Sequence, residues 1–433
     1  MCLLYLNGQL NEMCLKEEFK MILNEKRYAN LYNVNLTLIA GKETINVSPS
    51  DIITLSIINN YDSMTYPIIR FRLYTDINII QSLAENPSDI FVRCNLDGGV
   101  YMLKEQTSPT IVQPTKSISF SMKGFIENKN IASNSYDEYV NGVKKTTDLN
   151  DNVKVPIELY CYHEDTITKF HRYAQSIYKN TTIETVINDL FNRCGIHEFE
   201  IDKIHNQEKY QQILFPNLNI IEALSMIDND YGIHQKGTQI YCDFDNVVKI
   251  VDMNVNTNKT TIPIYVTSGS NQTDTHGLKK INDKFYFSTS AECVSIISET
   301  DIEKSLNPEN ITSINAQTLE VSTRKLTKLY DSTEDPYDNE SLGSAYVHKL
   351  KNKYIADTIA ARINEHITNI DVSLTGIDIS KLSIDSRINI VFETPIRGMK
   401  INDRYRQINN VHVLSQLDSN LFYAQTNLRI SSN

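Results

Sequence analysis

The stretch Asn180–Phe244, NTTIETVINDLFNRCGIHEFEIDKIHNQEKYQQILFPNLNIIEALSMIDNDYGIHQKGTQIYCDF, decides the reading of this chain. It spells a capped helix, a short strand, a second capped helix and a hairpin. Thr181 with Glu184 three residues on has the form of a capping box, each side chain satisfying a free backbone N–H. Ile183, Val186, Ile187, Leu190 and Phe191 then fall on one face at helical spacing. Gly195 follows the last turn, where a left-handed residue is needed. The second helix repeats this grammar: Asn219 and Glu222 make the box, and Ile220, Ala223, Leu224, Ile227 and Tyr231 make the apolar face. Gly232 ends it. Tyr231-Gly232-Ile233-His234 running into Gln235-Lys236-Gly237-Thr238 reads as a turn between two short strands. These residues serve packing and carry no chemistry, which points to an architectural protein.

A chain of 433 residues holds roughly two to four domains with ample core. Apolar residues at 41% and charged residues at 22% place it among folded globular proteins and away from disordered ones. Gly (14) and Pro (11) are too scarce for collagen-like or low-complexity segments. A formal net charge of −11 with no Lys/Arg block argues against duplex binding, which needs a basic face for the phosphates. The same balance repels anionic membrane surfaces. Seven scattered Cys, never spaced C-x-x-C, argue against a disulfide framework or zinc site and fit buried thiols made in a reducing cytosol. Met1 to Leu6 is apolar but too brief for a signal peptide and lacks a basic flank. No apolar run approaches the ~20 residues of a membrane helix.

Outward from the central unit the pattern changes to strands. Upstream, residues 1–30 hold a short strand and a helix over Met13–Tyr28. Val34, Leu36 and Leu38 alternate with polar neighbours. Ile52 to Ile58, Ile68 to Tyr74, Phe91 to Cys94, Val100 to Leu103 and Ile118 to Phe125 continue in strand periodicity, with Asp97-Gly98-Gly99 as a hairpin turn. Residues 126–152 read as a long polar surface loop. Val155, Ile157, Leu159 and Cys161 give a strand that completes the first sheet, and Lys169–Tyr178 a short helix. Several short strands between turn signals suggest an antiparallel sandwich or barrel. Downstream, Val247–Val251 and parts of 261–300 are strands, and the acidic run 330–343 is a linker or exposed loop. Ala345–Thr368 is a helix with Val347, Leu350, Tyr354, Ile355, Ile359 and Ile363 inward. About four strands follow, over 370–376, 388–392, 405–414 and 421–430, as a second small β domain.

No constellation carries catalysis. His163-Glu164 and His171 lack the i, i+4 spacing that lets two His share a metal. Asp148-Leu149-Asn150-Asp151-Asn152 opens like a calcium loop, but Val153 and Leu159 stand where Gly and Glu belong. No G-x-S-x-G, G-x-x-x-x-G-K-[ST] or G-x-G-x-x-G occurs. Cys94 and Cys161 sit in alternating strand patterns that favour the core. Asp228 and Asp230 end a helix and read as solvated carboxylates. With no Trp, a sugar-stacking platform would rest on Tyr or Phe. Catalytic, cofactor-binding and metal residues are therefore all read as none.

The order of parts resembles the tail hub family of phages and related injection machines: the baseplate hub of contractile tails, the late-control D-type proteins and the hub module of tail-associated proteins. The likeness runs from Val155–Tyr160 through Thr182–Phe191 and Cys194-Gly195-Ile196. It is best at Ile213-Leu214-Phe215-Pro216-Asn217-Leu218-Asn219, Glu222–Ile227 and Tyr231-Gly232-Ile233, and returns from Tyr405 to Leu428. The resemblance implies an α+β fold with two small antiparallel, tail-tube-like β-barrels flanking the helix–strand–helix–hairpin unit. The expected division is 1–162 (N-terminal segment and first barrel), 163–255 (α/β unit), 256–345 (connecting β region and acidic linker) and 346–433 (helix and second barrel). It also implies a non-enzymatic homotrimer forming a pseudo-sixfold ring between a hexameric tail tube and a threefold spike. The implied partners are other copies of the chain, the tail tube or distal tube protein and the central spike or tip. Tape measure and baseplate wedge proteins are further candidates, and DNA passes without sequence-specific binding. The implied location is the virion, after synthesis in the host cytoplasm. The alternatives are a tail-associated peptidoglycan hydrolase and a β-rich receptor-binding protein.

Overall fold

Val34, Leu36 and Leu38 point inward from a long first strand, β1 (Arg27–Ala40), as their alternation predicts. The computed structural model describes residues 27–62, 66–76, 83, 90–104, 107–126, 135–140, 143–148, 154–267, 277–298, 310–314, 321–325, 368–392, 404–418 and 420–432. The expected helix Met13–Tyr28 lies outside these residues except at Arg27 and Tyr28, which belong to β1. The acidic linker and the helix Ala345–Thr368 also lie outside them, apart from Thr368, which opens a strand.

After β1 come β2 (Glu43–Val47), β3 (Ile52–Asn60), β4 (Ile68–Asp76), β5 (Ile90–Lys104), β6 (Thr107–Pro114) and β7 (Ile118–Ile126). Two expectations fail here. Asp97-Gly98-Gly99 is no turn: β5 runs straight through it, paired with β1 from Arg27↔Leu103 to Ala40↔Ile90. The glycines serve close approach instead, since a Cβ on Gly98 would lie 2.4 Å from Thr115 Oγ1 and 3.0 Å from the Tyr32 ring. The polar segment 126–152 is not all loop, because it contains the hairpin β8 (Ser135–Val140) and β9 (Val143–Asp148). Backbone pairing there needs no apolar periodicity. β10 (Lys154–Tyr162) does complete this sheet, between β4 and β7.

The α/β unit follows: α1 (Glu164–Phe170), β11 (Tyr173–Thr181), α2 (Ile183–Cys194), β12 (Phe199–Ile201), β13 (Tyr210–Asn219), α3 (Ile220–Asp230), β14 (Thr238–Cys242) and β15 (Val248–Asp252). The helix expected over Lys169–Tyr178 is displaced. α1 ends at Phe170, and Tyr173 onward is a strand because β13 offers its backbone over nearly the whole length. Thr181, as the last residue of that strand, cannot cap α2; Thr182 does, accepting from Thr185 N. The Asn219–Glu222 box at α3 is present in full. Gly195 ends α2 with φ 74°, and the bonds Ile196 N to Phe191 O and Gly195 N to Asn192 O make a Schellman motif. The hairpin lies one strand later than expected. Residues 231–237 are a turn, and β14 pairs with β15 around a bend where Asp243 Oδ1 accepts from Asp245 N and Val247 N. The expected apolar faces of α2 and α3 form this unit's own core with Phe170, Phe215 and Ile250.

The remaining strands are β16 (Thr261–Thr267), β17 (Gly277–Ile281), β18 (Lys284–Ser290), β19 (Val294–Ser298), β20 (Asn310–Ile314), β21 (Val321–Lys325), β22 (Thr368–Thr375), β23 (Arg387–Phe392), β24 (Arg404–Asp418) and β25 (Leu421–Ser431). Sixteen of the described strands join one sheet. Within it, pairing closes on itself twice. One circuit runs β1–β5–β7–β10–β4–β3–β24–β25 and back to β1. The other runs β1–β17–β18–β16–β23–β24–β25 and back to β1. Both use β1 and the β24–β25 hairpin, and one apolar cluster, with Leu38, Phe71, Ile390 and Phe422, spans the two. The second circuit is not purely antiparallel: β16 runs parallel to β18 and β23, as strands joined by long connections can.

The second circuit meets β1 at Tyr28↔Leu278, beside Gly277. That residue has φ 117°, and a Cβ on it would lie 2.8 Å from Tyr28 O. Gly277→Ala is therefore expected to cost about 2–4 kcal/mol from backbone strain and overpacking. A lowered thermal midpoint with intact secondary structure is the outcome to look for; an unchanged midpoint would contradict the close approach.

Candidate functional site

The α/β unit is held on the sheet by a buried polar joint, built from residues far apart in sequence. From β14, the Tyr241 hydroxyl donates to Asn59 Oδ1 on β3. Asn59 Nδ2 donates to Asn410 Oδ1 on β24 at 2.6 Å. Asn410 Nδ2 lies 2.8 Å from Gln407 Oε1, 3.2 Å from Leu382 O and 3.3 Å from the Tyr61 hydroxyl. The Tyr61 and Tyr241 rings meet edge-on at 4.7 Å and, with Val251 and Ile384, make a small apolar cluster around the network. Each polar group is satisfied by a partner on another element, so the joint has one geometry rather than several.

A belt of charge lies beside it. Lys249 Nζ reaches Asp385 at 2.8 Å, Glu200 at 3.1 Å and Asp243 at 3.7 Å. Lys259 Nζ reaches Asp202 at 2.5 Å and Asp385 at 3.0 Å. Burial alone would push the Asp385 carboxyl up, but the two ammonium groups outweigh it and hold the carboxyl below the usual range. Burial would likewise depress Lys249, yet its bonds to Asp385 and Glu200 keep it above the ordinary lysine value. Under the belt, Arg387 is 1% exposed. Its guanidinium donates to Asp252 O (2.7 Å), Asn254 O (3.4 Å), Thr257 Oγ1 (3.3 Å) and Ile384 O (3.4 Å). Such an arrangement fixes a relative orientation and offers no open reacting position.

The residues weighed from the sequence are not brought together. His163 precedes α1 and His171 follows it, at opposite ends of the helix, while Glu164 pairs with Lys123. Asp148 ends β9, and the rest of the calcium-like run lies outside the described residues. Cys94 and Cys161 are buried in the sheet core as expected, and burial pushes both thiols up, away from thiolate chemistry. Asp228 is a correction. It is not simply solvated, because it accepts from Thr238 Oγ1 at 2.7 Å and Ile233 N at 3.3 Å, tying the exit of α3 to β14. Among the described residues no group of three or more His, Cys, Asp or Glu is placed to hold a metal ion. None is in a helix long and apolar enough to cross a membrane. The joint itself escaped sequence reading. Its signal was polar Asn59, Gln407 and Asn410 at inward positions of two strands.

The sequence model of the family described as Bacteriophage PBS1 gene 109 protein matches residues 19–429. The chain belongs to that family. The match takes in the α/β unit, the joint and both pairing circuits of this gene 109 family member. No curated protein matches the chain. Among solved structures it is similar to a tail protein from Neisseria meningitidis MC58, at 12% identity and TM-score 0.49 over 92% of this chain and 97% of that one. It is also similar to the 43 kDa tail protein of prophage MuSo2 from Shewanella oneidensis (11%, 0.44, 91% and 96%). A third similarity is to prophage tail protein gp18 from Listeria monocytogenes EGD-e (9%, 0.43, 93% and 94%). The phage likeness read from the sequence is borne out by that family match.

His412, next to the joint on β24, makes stability pH-dependent. It is 2% exposed, its Nδ1 lies 2.8 Å from Thr426 Oγ1, and burial pushes the imidazole down to about 3 from 6.5. The unfolded chain therefore takes up this proton first. Stability is whole above the unfolded value and is lost as pH falls from there toward the folded one. About 2 kcal/mol is expected to be gone by pH 5. Unfolding midpoints from neutral to mildly acid pH check this, and His412→Gln should flatten the slope.

Proposed function

We propose that this chain is a structural tail hub. The observation that carries the reading is the double closure of strand pairing through β1 and the β24–β25 hairpin. Each circuit is taken as one small barrel, so a single chain presents two such units side by side. Three chains then give six units around a threefold axis, which matches a hexameric tail tube on one side and a threefold spike or tip on the other. In this reading 1–162 and 346–433 supply the barrels together with β16, β17 and β18 from 256–345, with β1 and the C-terminal hairpin serving both. Segment 163–255 is the α/β unit mounted on them.

The partners are other copies of the chain, the tail tube or distal tube protein and the spike or tip, with tape measure and wedge proteins at the periphery. DNA passes through the ring. The net charge of −11 suits a conduit that must not hold phosphates. The hub acts without catalysis or cofactor, in the virion, after synthesis in the host cytoplasm. Electron microscopy of the purified protein tests the reading, with a threefold ring around a central hole expected. A strict monomer of 49.6 kDa that binds neither tube nor spike protein would overturn it.

A further inference from the structure

The outward face of the strands β5, β7, β10 and β4 differs from the rest of the surface. Register places its side chains in one field: Phe91 opposite Lys123, Lys123 opposite Tyr162, Phe125 opposite Tyr160, Tyr160 opposite Arg70 and Glu158 opposite Arg72. Tyr74 follows across from Pro156. Tyr74 is 44% exposed, and Phe91 and Phe125 are each 39% exposed. The aromatic and cationic groups already engage one another: Phe125 stacks on Tyr162 at 4.9 Å, and the Arg70 guanidinium lies 5.2 Å from the Tyr160 ring centroid. Toward the α/β unit the field opens into a cleft of about 780 Å³ that Phe91, Arg93 and Lys123 help to line. Tyr, Phe and Arg in one field are the composition of protein interface cores.

We propose that this face is where a second copy of the chain docks, its acidic α/β unit set against the basic aromatic field. The proposal rests on the self-assembling hub reading and names the contact that would build it. Charge selects the occupant. The chain carries −11 overall, so two copies repel unless a local basic field meets an acidic one. Arg70, Arg72 and Lys123 outnumber Glu158 and Glu164 here, whereas residues 163–255 hold fourteen Asp and Glu against eight Lys and Arg. The contact joins two different surfaces, and repeated by rotation it closes a ring. Stacked aromatics beside cations also suit single-stranded nucleic acid. Glu158, however, sits 2.5 Å from Arg70 and 3.7 Å from Arg72, in the middle of the cations a phosphate track would need.

The test is the solution mass of the full chain by sedimentation velocity. It compares wild type, Tyr74→Ser/Phe125→Ser and, as a control at an exposed apolar position on β6, outside both the field and the α/β unit, Ile111→Ser. Wild type and control are expected to assemble. The double variant should associate on the order of a hundredfold more weakly, with unchanged circular dichroism and thermal midpoint, and added salt should weaken wild-type assembly. Assembly of the double variant at wild-type strength overturns the docking face and leaves the hub reading standing. A monomeric wild type overturns the docking face, and overturns the hub reading as well if it also binds neither tube nor spike protein. Binding of a thymidine oligonucleotide by wild type that the double variant loses assigns the face to nucleic acid and overturns the proposal.

Discussion

Arg387→Met is expected to lower stability by about 3–5 kcal/mol, the largest effect of any single change outside the apolar core. Methionine keeps much of the aliphatic volume but removes every donor. The carbonyls of Asp252, Asn254 and Ile384, which the guanidinium now serves, would then be left without this partner and out of reach of water. The three carboxylates around it, Asp202, Asp252 and Asp385, also favour its charge against the burial that lowers its pKa, and they would lose that compensation. Arg387→Lys should fall between wild type and Met, because one ammonium cannot fan out to acceptors on two segments. Thermal and urea unfolding, read by circular dichroism, measure the series. A loss below about 1 kcal/mol for Met would mean that water replaces the guanidinium.

Asn410→Leu is expected to cost about 3–4 kcal/mol. The side chain is wholly buried and shares bonds with Asn59, Gln407, Tyr61 and Leu382. Leucine fits the space but strands these partners together. The loss should fall on the joint rather than on the α/β core, which has its own apolar cluster. Hydrogen exchange should therefore rise in β3 and β14 while α2 and α3 stay protected. Tyr241→Phe removes the far end of the same chain of bonds. The two changes together should fall short of additivity by about 0.5–3 kcal/mol. Strict additivity would show that Asn59 does not couple them.

What the sequence revealed and what it hid follow the reach of each interaction. The Asn219–Glu222 box and the Gly195 stop were legible because donor, acceptor and left-handed residue lie within one turn. The inward stripes of β1, α2 and α3 were legible because periodicity is local. Gly98-Gly99 misled because a glycine that makes room for Tyr32 and Thr115 looks like a glycine that turns the chain. Tyr173–Tyr178 was read as helix because nothing near it announces that Tyr210–Asn219 will pair with it. The joint was hidden for the same reason. Asn59 and Asn410 each look like a lone polar residue in a strand until folding sets them 2.6 Å apart, and Arg387 looks like a surface charge until the 252–257 loop covers it.

The two pairing circuits also constrain how the protein is made. Leu31 pairs with Tyr423, and Ile57 pairs with His412, so neither circuit closes until the strands beyond residue 404 have left the ribosome. At about 5–20 residues per second this interval is on the order of tens of seconds. Throughout it β1 and β3 wait with an unpaired backbone edge, the kind of edge that recruits strands from other nascent chains. Contacts this distant in sequence also form slowly once synthesis ends. Chains stopped before β24 should therefore collect in aggregates or on chaperones, and the yield of this protein should depend more on holdase supply than on the stability of the finished fold.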